Sequence, residues 1–477
     1  MCGVIGVFGY DNVASDIING LETLQHRGQD SAGLVVFNGT FKMHKGSGPV
    51  SNVFKHIPIE RFKGEIGLGH VRYSTIGSTE AVDAQPIAVN YPYGLAMVHN
   101  GNVVNFNELR RKLYEEHHRL LDTSNDVALI LYTLATQLEK KDLRNLPVED
   151  IFDSVENVQK IVQGAYSAIT IIANKGVLAF TDPYGIRPLV MGRKYTDKGV
   201  VYAFASESTT FDFLGYELMR DLEPGEMVFI DNERHIHKKI GLTKRQAFCV
   251  FEYIYFARED SVIHNRLVAS ERVRMGKRLA EKFRQTGLQP DIIIDVPNSA
   301  YFFASAMAEE LGIPYRRGLA KNHHMGRSFI TPNQKEREKM VRQKLNPIRD
   351  IVCCKKVAVV DDSIVRGTTS KRIVEMLRRA GAKEIYFISA SPPVKHPCIY
   401  GIDMSVKREI LASHYDVEEI RRYLGADAVI YQDLEDLIDL YKDLPICHAC
   451  FSGQYPTGAG AEVLEAIEKE KLESDRV

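Results

Sequence analysis

An α+β sandwich followed by an α/β domain on a mainly parallel sheet is what the sequence predicts, and three observations predict it. Residues 1–240 run as many short apolar segments broken by Gly, Asn and Asp, with only a few helices between them. From 266 onward, helices alternate with short, continuously apolar strands, the pattern of a parallel sheet covered on both faces. The charged run DNERHIHKK (231–239) separates the two patterns and places a boundary around 235–248. At roughly 100–200 residues per domain, 477 residues accommodate both. The domains are expected at 2–240 and 241–465, with a polar tail at 466–477.

In chain order, the first domain offers strands at VIGVF (4–8), SAGLVVF (31–37), IGLGHV (66–71), GLAMVH (94–99), AITIIA (168–173) and VYAFAS (201–206). Helices are expected over 106–116 and 126–139, the second with Val127, Leu131, Leu134 and Leu138 on one face. In the second domain the order is helix 268–286, strand DIIIDV, helix 300–311, strand KVAVVDD, helix 369–380 and strand EIYFISA. AEVLEAIEKEKLESDRV (461–477) reads as a solvated helix fraying into a tail. There are no internal repeats and no low-complexity segment.

Composition narrows the class. Lys+Arg (61) and Asp+Glu (62) nearly cancel, so no global field favours nucleic acid or an anionic membrane. No uncharged apolar run reaches the ~20 residues of a membrane span, and MCGVIGVFGY lacks the features of a signal peptide. Seven cysteines are too sparse for a disulfide scaffold, which points to a reducing, cytoplasmic setting.

Cys2 is the first candidate for chemistry. Removal of Met1 would expose an α-amine with pKa ~7.7–8.0 beside the thiol, so one residue could supply nucleophile and base. HRGQDSAG (26–33), HVRYST (70–75), HNG (99–101) and TSND (123–126) lie at strand ends and helix starts. An Arg offers a forked donor to a carboxylate, and an Asp can receive an ammonium or act as an N-cap. Asn and Gly at a strand end can present donors to an oxyanion. Taken singly, each is a turn or a cap.

Taken together and in this order, these segments resemble the glutaminase domain of class II, N-terminal nucleophile, glutamine amidotransferases. The resemblance covers roughly 2–235 and continues through DPYGIRPLV (182–190) and FASES (204–208). It implies that Cys2 attacks the glutamine amide and that Asn100 and the Gly101 N–H form the oxyanion hole. Arg72 and Asp126 would hold the α-carboxylate and α-amine of glutamine, and Arg27 would support the Cys2 loop. Where that family often has an acid two positions after this Asp, Ala128 stands here.

KVAVVDDSIVRGTTSKRIVEMLRRAG (356–381) is the strongest single motif. A buried strand delivers Asp361 and Asp362 to its C-terminal edge, where open α/β sheets bind ligands. Gly367, Thr368, Thr369 and Ser370 then offer N–H groups and hydroxyls at a helix start, a place for a phosphate. The acids suit sugar hydroxyls or a magnesium ion beside it. No GxxxxGK[ST] occurs, which argues against Walker-type ATP binding.

This segment resembles the signature of type I phosphoribosyltransferases, which bind 5-phosphoribosyl 1-diphosphate (PRPP). CVFEYIYFAREDS (249–261), GLAKNHHMGRSFI (318–330), VRQKLNPIR (341–349) and GADAVIYQDLEDL (425–437) extend the likeness to the amidophosphoribosyltransferase family over nearly the whole chain. The resemblance assigns Asp361 and Asp362 to ribose and Mg2+, and Ser363, Arg366, Gly367, Thr368, Thr369 and Ser370 to PRPP, with 366–370 on its 5-phosphate. Segment 297–300 would approach the diphosphate, Lys321 would contact a phosphate, and 322–346 would close over the site. Ala300 stands where a hydroxyl residue is common, with Ser299 next to it, and His323-His324 replace Arg-Tyr.

Of the other cysteines, the resemblance groups Cys249, Cys398, Cys447 and Cys450, and four thiolates suit iron–sulfur or tetrahedral zinc. The resemblance selects a structural [4Fe–4S] cluster, as in one branch of the family. Cys353 and Cys354 read as ordinary, partly buried thiols. Members of that branch often carry a propeptide before the nucleophile, whereas here only Met1 would need removal.

The expected activity is glutamine-dependent transfer of ammonia to PRPP, giving 5-phosphoribosylamine, diphosphate and glutamate. A homotetramer and feedback inhibition by purine nucleotides are implied by the resemblance alone. The competing reading is a diverged paralogue that senses PRPP or nucleotide without transferring, motivated by Ala300 and His323-His324. A different amidotransferase acceptor is a third, against which VAVVDDSIVRGTTS argues.

Overall fold

The computed structural model describes residues 1–73, 81–322, 345–404 and 406–474. Two antiparallel sheets, of seven and six strands, form the first half. Gly3–Phe8 pairs with Ile66–Arg72 inside one, and Leu95–Val103 pairs with Gly164–Ile172 inside the other. Alternation along each strand decides what fills the space between the sheets. Val4, Phe8, Ile66, Leu68, Ala96 and Val98 enter one buried cluster there. Their neighbours Ile5, Val7 and Val71 turn outward to the helix Ala14–Thr23. Leu95 and Met97 likewise meet the helices Val127–Leu138 and Val148–Ile161. Gly69 makes the first of these contacts possible, because a Cβ there would lie 2.5 Å from Ile17 Cγ2. The result is a four-layer helix–sheet–sheet–helix sandwich, the predicted α+β class.

Parity also places the chemistry. Continued beyond the core, the inward-facing series of the three strands reaches Cys2, His70, Arg72 and Asn100. His99, of opposite parity, faces the helix that starts just after Asp126. The six-stranded sheet ends with Ile236–Ile240, in the segment expected to close the first domain.

In the second half, Ile292–Asp295, Lys356–Asp361, Glu384–Ser389 and Ala428–Tyr431 form a four-stranded sheet, parallel throughout. Val357 and Val359 face a core shared with the helix Thr368–Arg379, while Ala358 and Val360 face Val268–Gln285 and Tyr301–Leu311. Burial on both faces is why these strands are apolar at every position rather than at alternate ones.

One expectation needs amending. The helix expected from 461 is present over Ala461–Ser474, but it is not wholly solvated: Ile467, placed in the polar tail, is only 5% exposed. Val463, Leu464 and Ile467 recur at helical spacing and pack on the second core. The expected closing segment 322–346 is described only at its base, where Leu319–Lys321 and Leu345–Pro347 form an antiparallel ribbon. His323-His324 lie outside the described residues, as do Ser74 and Thr75 of HVRYST. No helix among the described residues is long and apolar enough to cross a membrane.

Candidate active sites

Cys2 is half-buried at the start of the strand Gly3–Phe8. Its N–H donates to Asn100 Oδ1 at 3.3 Å, and its carbonyl accepts from Arg27 Nε at 2.9 Å. Arg27 is itself buried between two carboxylates, with Nη1 2.5 Å from Glu207 Oε1 and Nη2 2.8 Å from Glu252 Oε1. Burial alone would raise the Glu207 carboxyl, but His26 at 2.7 Å and Arg27 hold it far below the carboxylate range. The Cys2 loop thus rests on a closed ionic network rather than on a single bond.

Breaking a buried pair by removing one partner costs about 3–5 kcal/mol, so Glu207→Gln should lower the melting temperature sharply at neutral pH. The sign of the pH dependence follows from a depressed carboxyl. Its contribution is complete above the unfolded value of ~4.3 and falls away as pH drops toward the lower, folded value. Melting curves of wild type and Glu207→Gln should therefore stay apart down to about pH 5 and converge below pH 4. A gap that persists unchanged at low pH would contradict this.

A pocket at this end of the sandwich is lined by Cys2, Arg72, Gln85, His99, Gly101 and Asp126, among others. Asn100 lies just beneath. Its Nδ2 is buried and, among the described residues, has no hydrogen-bond partner, which leaves a donor available to an incoming oxyanion. Gly101 has φ +153°, and a Cβ there would sit 1.9 Å from the Ala165 carbonyl, so no other residue fits. Asp126 accepts from the Val103 N–H at 2.9 Å and lies 3.3 Å from His99 Nε2. Burial would raise its carboxyl, but His99, the Val103 N–H and Arg72 lower it, keeping the anion. Asp126 caps nothing with its side chain. Gln85 Nε2 donates to His99 Nδ1 at 2.9 Å, so the ring proton sits on Nε2 and faces Asp126. Asp83 accepts from Ser124 N at 2.9 Å and Ser124 Oγ at 2.6 Å, fixing the turn that carries Asp126. Ala128 is simply buried helix core.

The second site lies at the C-terminal edge of the parallel sheet. Asp361 and Asp362 are each 7% exposed. Burial, then the Asp362 charge, pushes Asp361 well above the carboxylate range, and Asp362 is raised chiefly by burial. Ser299 Oγ donates to Asp362 Oδ2, and Ser363 Oγ to Oδ1 at 2.7 Å. The hydroxyl beside the acids is thus supplied by Ser299, while Ala300 is buried in the core and precedes the helix Tyr301–Leu311. The Pro297–Asn298 peptide in the same turn is cis. Gly367 opens the helix Thr368–Arg379 with φ +72°, and a Cβ there would meet Leu411 Cδ2 at 2.6 Å. Thr368, Thr369 and Ser370 form its first turn, where N–H groups lack helical partners. Arg366, expected on the phosphate, pairs with Glu409 at 2.5 Å and lies 3.7 Å from Asp403. Lys321 is exposed at the end of its ribbon strand.

Asp403 also accepts from Tyr73 Oη at 3.3 Å, so one carboxylate touches the residue after Arg72 and Arg366 in the turn before Thr368–Arg379. A second join runs through Asn102 Nδ2, which donates to the Ile399 carbonyl at 3.0 Å. Beside it, a Cβ on Gly401 would lie 2.7 Å from the Gly101 carbonyl.

Cys249 and Cys447 are register partners in a short parallel ladder, and Cys450 follows on the next turn. All four cysteines expected to act together are buried. Burial pushes the Cys249 thiol up to about 11 and raises Cys447 and Cys450, each of which also feels the charge of other members of the set. Arg187 lies within electrostatic range of Cys249 and Cys398, and its Nε donates to the Tyr400 carbonyl at 2.8 Å. Among the described residues, no three His, Cys, Asp or Glu side chains are gathered as a single metal ion requires.

His99, Gln85, Glu207, Glu252, Tyr73 and Asp403 join the sites without having been singled out in the sequence. Several lie inside segments that were, such as HNG, FASES and CVFEYIYFARED, but their partners are remote in the chain.

The description "Glutamine amidotransferase domain" matches residues 70–212, and "Phosphoribosyl transferase domain" matches 267–393. The amidophosphoribosyltransferase of Escherichia coli (strain K12) is 44% identical over 450 residues, 93% of this chain and 89% of that one. That of Schizosaccharomyces pombe is 40% identical over 100% of this chain and 94% of its own. Among solved structures, the glutamine PRPP amidotransferase of Bacillus subtilis in complex with ADP and GMP superposes with a TM-score of 0.84 at 38% identity. It covers 95% of this chain and 97% of its own.

Proposed function

The chain belongs to the amidophosphoribosyltransferase family, and from that premise we propose how its own residues divide the work. The reaction is glutamine-dependent transfer of ammonia to PRPP, the first step of purine biosynthesis. The observation that carries the division is the presence, in one chain, of a pocket uniting Cys2, Arg72, Gly101 and Asp126 and of a buried acid pair above a phosphate-type helix start.

At the first site Arg72 forks onto the glutamine α-carboxylate, and Asp126, kept ionised, receives the α-ammonium. Cys2 attacks the amide carbon. Its α-amine, released by loss of Met1, takes the thiol proton and returns it to the departing ammonia. Asn100 Nδ2 and the Gly101 N–H meet the oxyanion, and water then cleaves the thioester to glutamate.

At the second site the first turn of Thr368–Arg379 binds the 5-phosphate, and Asp361 and Asp362 hold the ribose hydroxyls. Two adjacent buried carboxylates repel each other, so they fit a divalent cation that offsets the repulsion. Magnesium bound there supplies positive charge to the leaving diphosphate. Ser299 and Ser363 orient Asp362, and Lys321 reaches a phosphate from the end of its ribbon strand. Ammonia adds at C1 as diphosphate leaves.

Cys249, Cys398, Cys447 and Cys450 suit a [4Fe–4S] cluster, whose four irons stand apart, better than one zinc ion. Bound there, a cluster supplies cross-links between the domain junction and the C-terminal segment. Anaerobically purified protein is expected to contain about four iron and four sulfide per chain, with a visible absorbance lost in Cys249→Ser. Zinc, or no metal at all, would overturn this assignment. Purine nucleotides are proposed as feedback ligands because the solved Bacillus subtilis relative holds ADP and GMP. A homotetramer in the cytoplasm belongs to the same reading.

The reading is tested by following glutamate and diphosphate together with glutamine, PRPP and magnesium. Equal release of both is expected. PRPP binding without diphosphate release would favour a sensor instead.

A further inference from the structure

Cys353 and Cys354 lie outside both sites. They sit between the short helix Arg349–Val352 and the strand Lys356–Asp361, at the end of that strand opposite the acid pair. Read from sequence they were ordinary, partly buried thiols, but Cys354 is exposed, alone among the seven cysteines. Their sulfur atoms are 3.4 Å apart.

Neighbouring side chains in an extended segment point to opposite sides. Here the backbone breaks that rule, because Cys354 adopts φ +61°, an uncommon conformation outside glycine. Its N–H donates to the Gly381 carbonyl at 2.8 Å, which holds the turn. Gly381 has φ +95°, and a Cβ there would crowd Cys353 Sγ at 2.9 Å. Two consecutive thiols are thereby held on one side, facing each other, with the outer one open to solvent.

We propose that Cys353–Cys354 is a redox-active vicinal dithiol, oxidised to an intramolecular disulfide by a low-molecular-weight disulfide such as oxidised glutathione. The Cys354 thiolate attacks one glutathione sulfur, forming a mixed disulfide and expelling one glutathione thiolate. The Cys353 thiolate then attacks the Cys354 sulfur, forming the Cys353–Cys354 bond and expelling the second. Two electrons pass from the protein to the small disulfide, and the two thiol protons go to solvent and the released thiolates. The sulfurs close from 3.4 Å to the ~2.05 Å of a disulfide bond, with the peptide between the two residues adjusting because neighbouring Cα atoms, ~3.8 Å apart, stand nearer than in most disulfides. The hydrogen bond with Cys353 raises the Cys354 thiol, so oxidation quickens as pH increases. Burial shields Cys249, Cys398, Cys447 and Cys450 from the same reagent.

The test uses the full chain, exposed anaerobically to oxidised glutathione at mildly alkaline pH, acid-quenched, alkylated and digested with trypsin. The peptide Asp350–Lys355 reports on the pair, and the N-terminal peptide reports separately on Cys2. Wild type is expected to yield this peptide lighter by two hydrogens and unalkylated, a change reversed by dithiothreitol. Cys353→Ser should instead retain one glutathionyl group on Cys354, and Cys354→Ser should show neither product over the same period. A wild-type peptide that stays reduced, or that accumulates glutathionyl adducts without closing, would overturn the proposal. So would a Cys354→Ser variant that reacts as fast as wild type.

Discussion

Cys2→Ala is expected to abolish glutamine-dependent formation of phosphoribosylamine, by on the order of 10⁴-fold or more, while ammonia-dependent formation continues. In the proposed reaction the Cys2 thiol forms the thioester, and no neighbour replaces it. Arg27 touches the Cys2 carbonyl and Asn100 its N–H, so both contacts survive the substitution. The second site does not include Cys2, and supplied ammonia replaces the nitrogen that the first site would have released. Parallel assays with glutamine and with an ammonium salt at alkaline pH check the prediction. Loss of both activities would mean that Cys2 supports the fold rather than the chemistry.

Asp362→Asn is expected to act in the opposite way, lowering both activities alike by on the order of 10²–10³-fold. The carboxylate accepts from Ser299 and Ser363 and stands beside Asp361 in a buried position. An amide keeps the size but removes the charge that suits a cation, so the leaving diphosphate loses its stabilisation whichever nitrogen source is used. Glutamine hydrolysis measured by itself should be affected much less. Because one buried charge of a repelling pair is removed, thermal stability should hold or rise slightly. A variant that transfers ammonia normally would remove Asp362 from the site.

Much of this was legible because the chemistry is contiguous in the chain. The stretch Val357–Ser370 contains its own strand, acids, turn and helix start, so local reading was enough to bring these elements together. Cys2, Asn100 and Gly101 were legible as a resemblance, and strand parity explains why the fold gathers them. His99, Gln85, Glu207 and Glu252 were not, because their roles depend on partners brought in by the sheets. Arg27 meets Glu252 from 225 residues away. The resemblance places Arg366 on the phosphate, yet its guanidinium is engaged by Glu409. Ile467 lies in a mostly charged helix, and its short apolar stripe shows only in the packing.

The two sites are also joined physically. Tyr73 and Arg366 share Asp403, and Gly401 abuts Gly101. If nitrogen freed at Cys2 is used at Asp361 and Asp362 without mixing into bulk water, it should keep its isotopic identity. Supplying wild type with amide-¹⁵N glutamine, PRPP and magnesium in excess unlabelled ammonium near neutral pH tests this directly. Phosphoribosylamine is expected to carry the glutamine label essentially undiluted. Product labelled in proportion to the mixed solvent pool would contradict it.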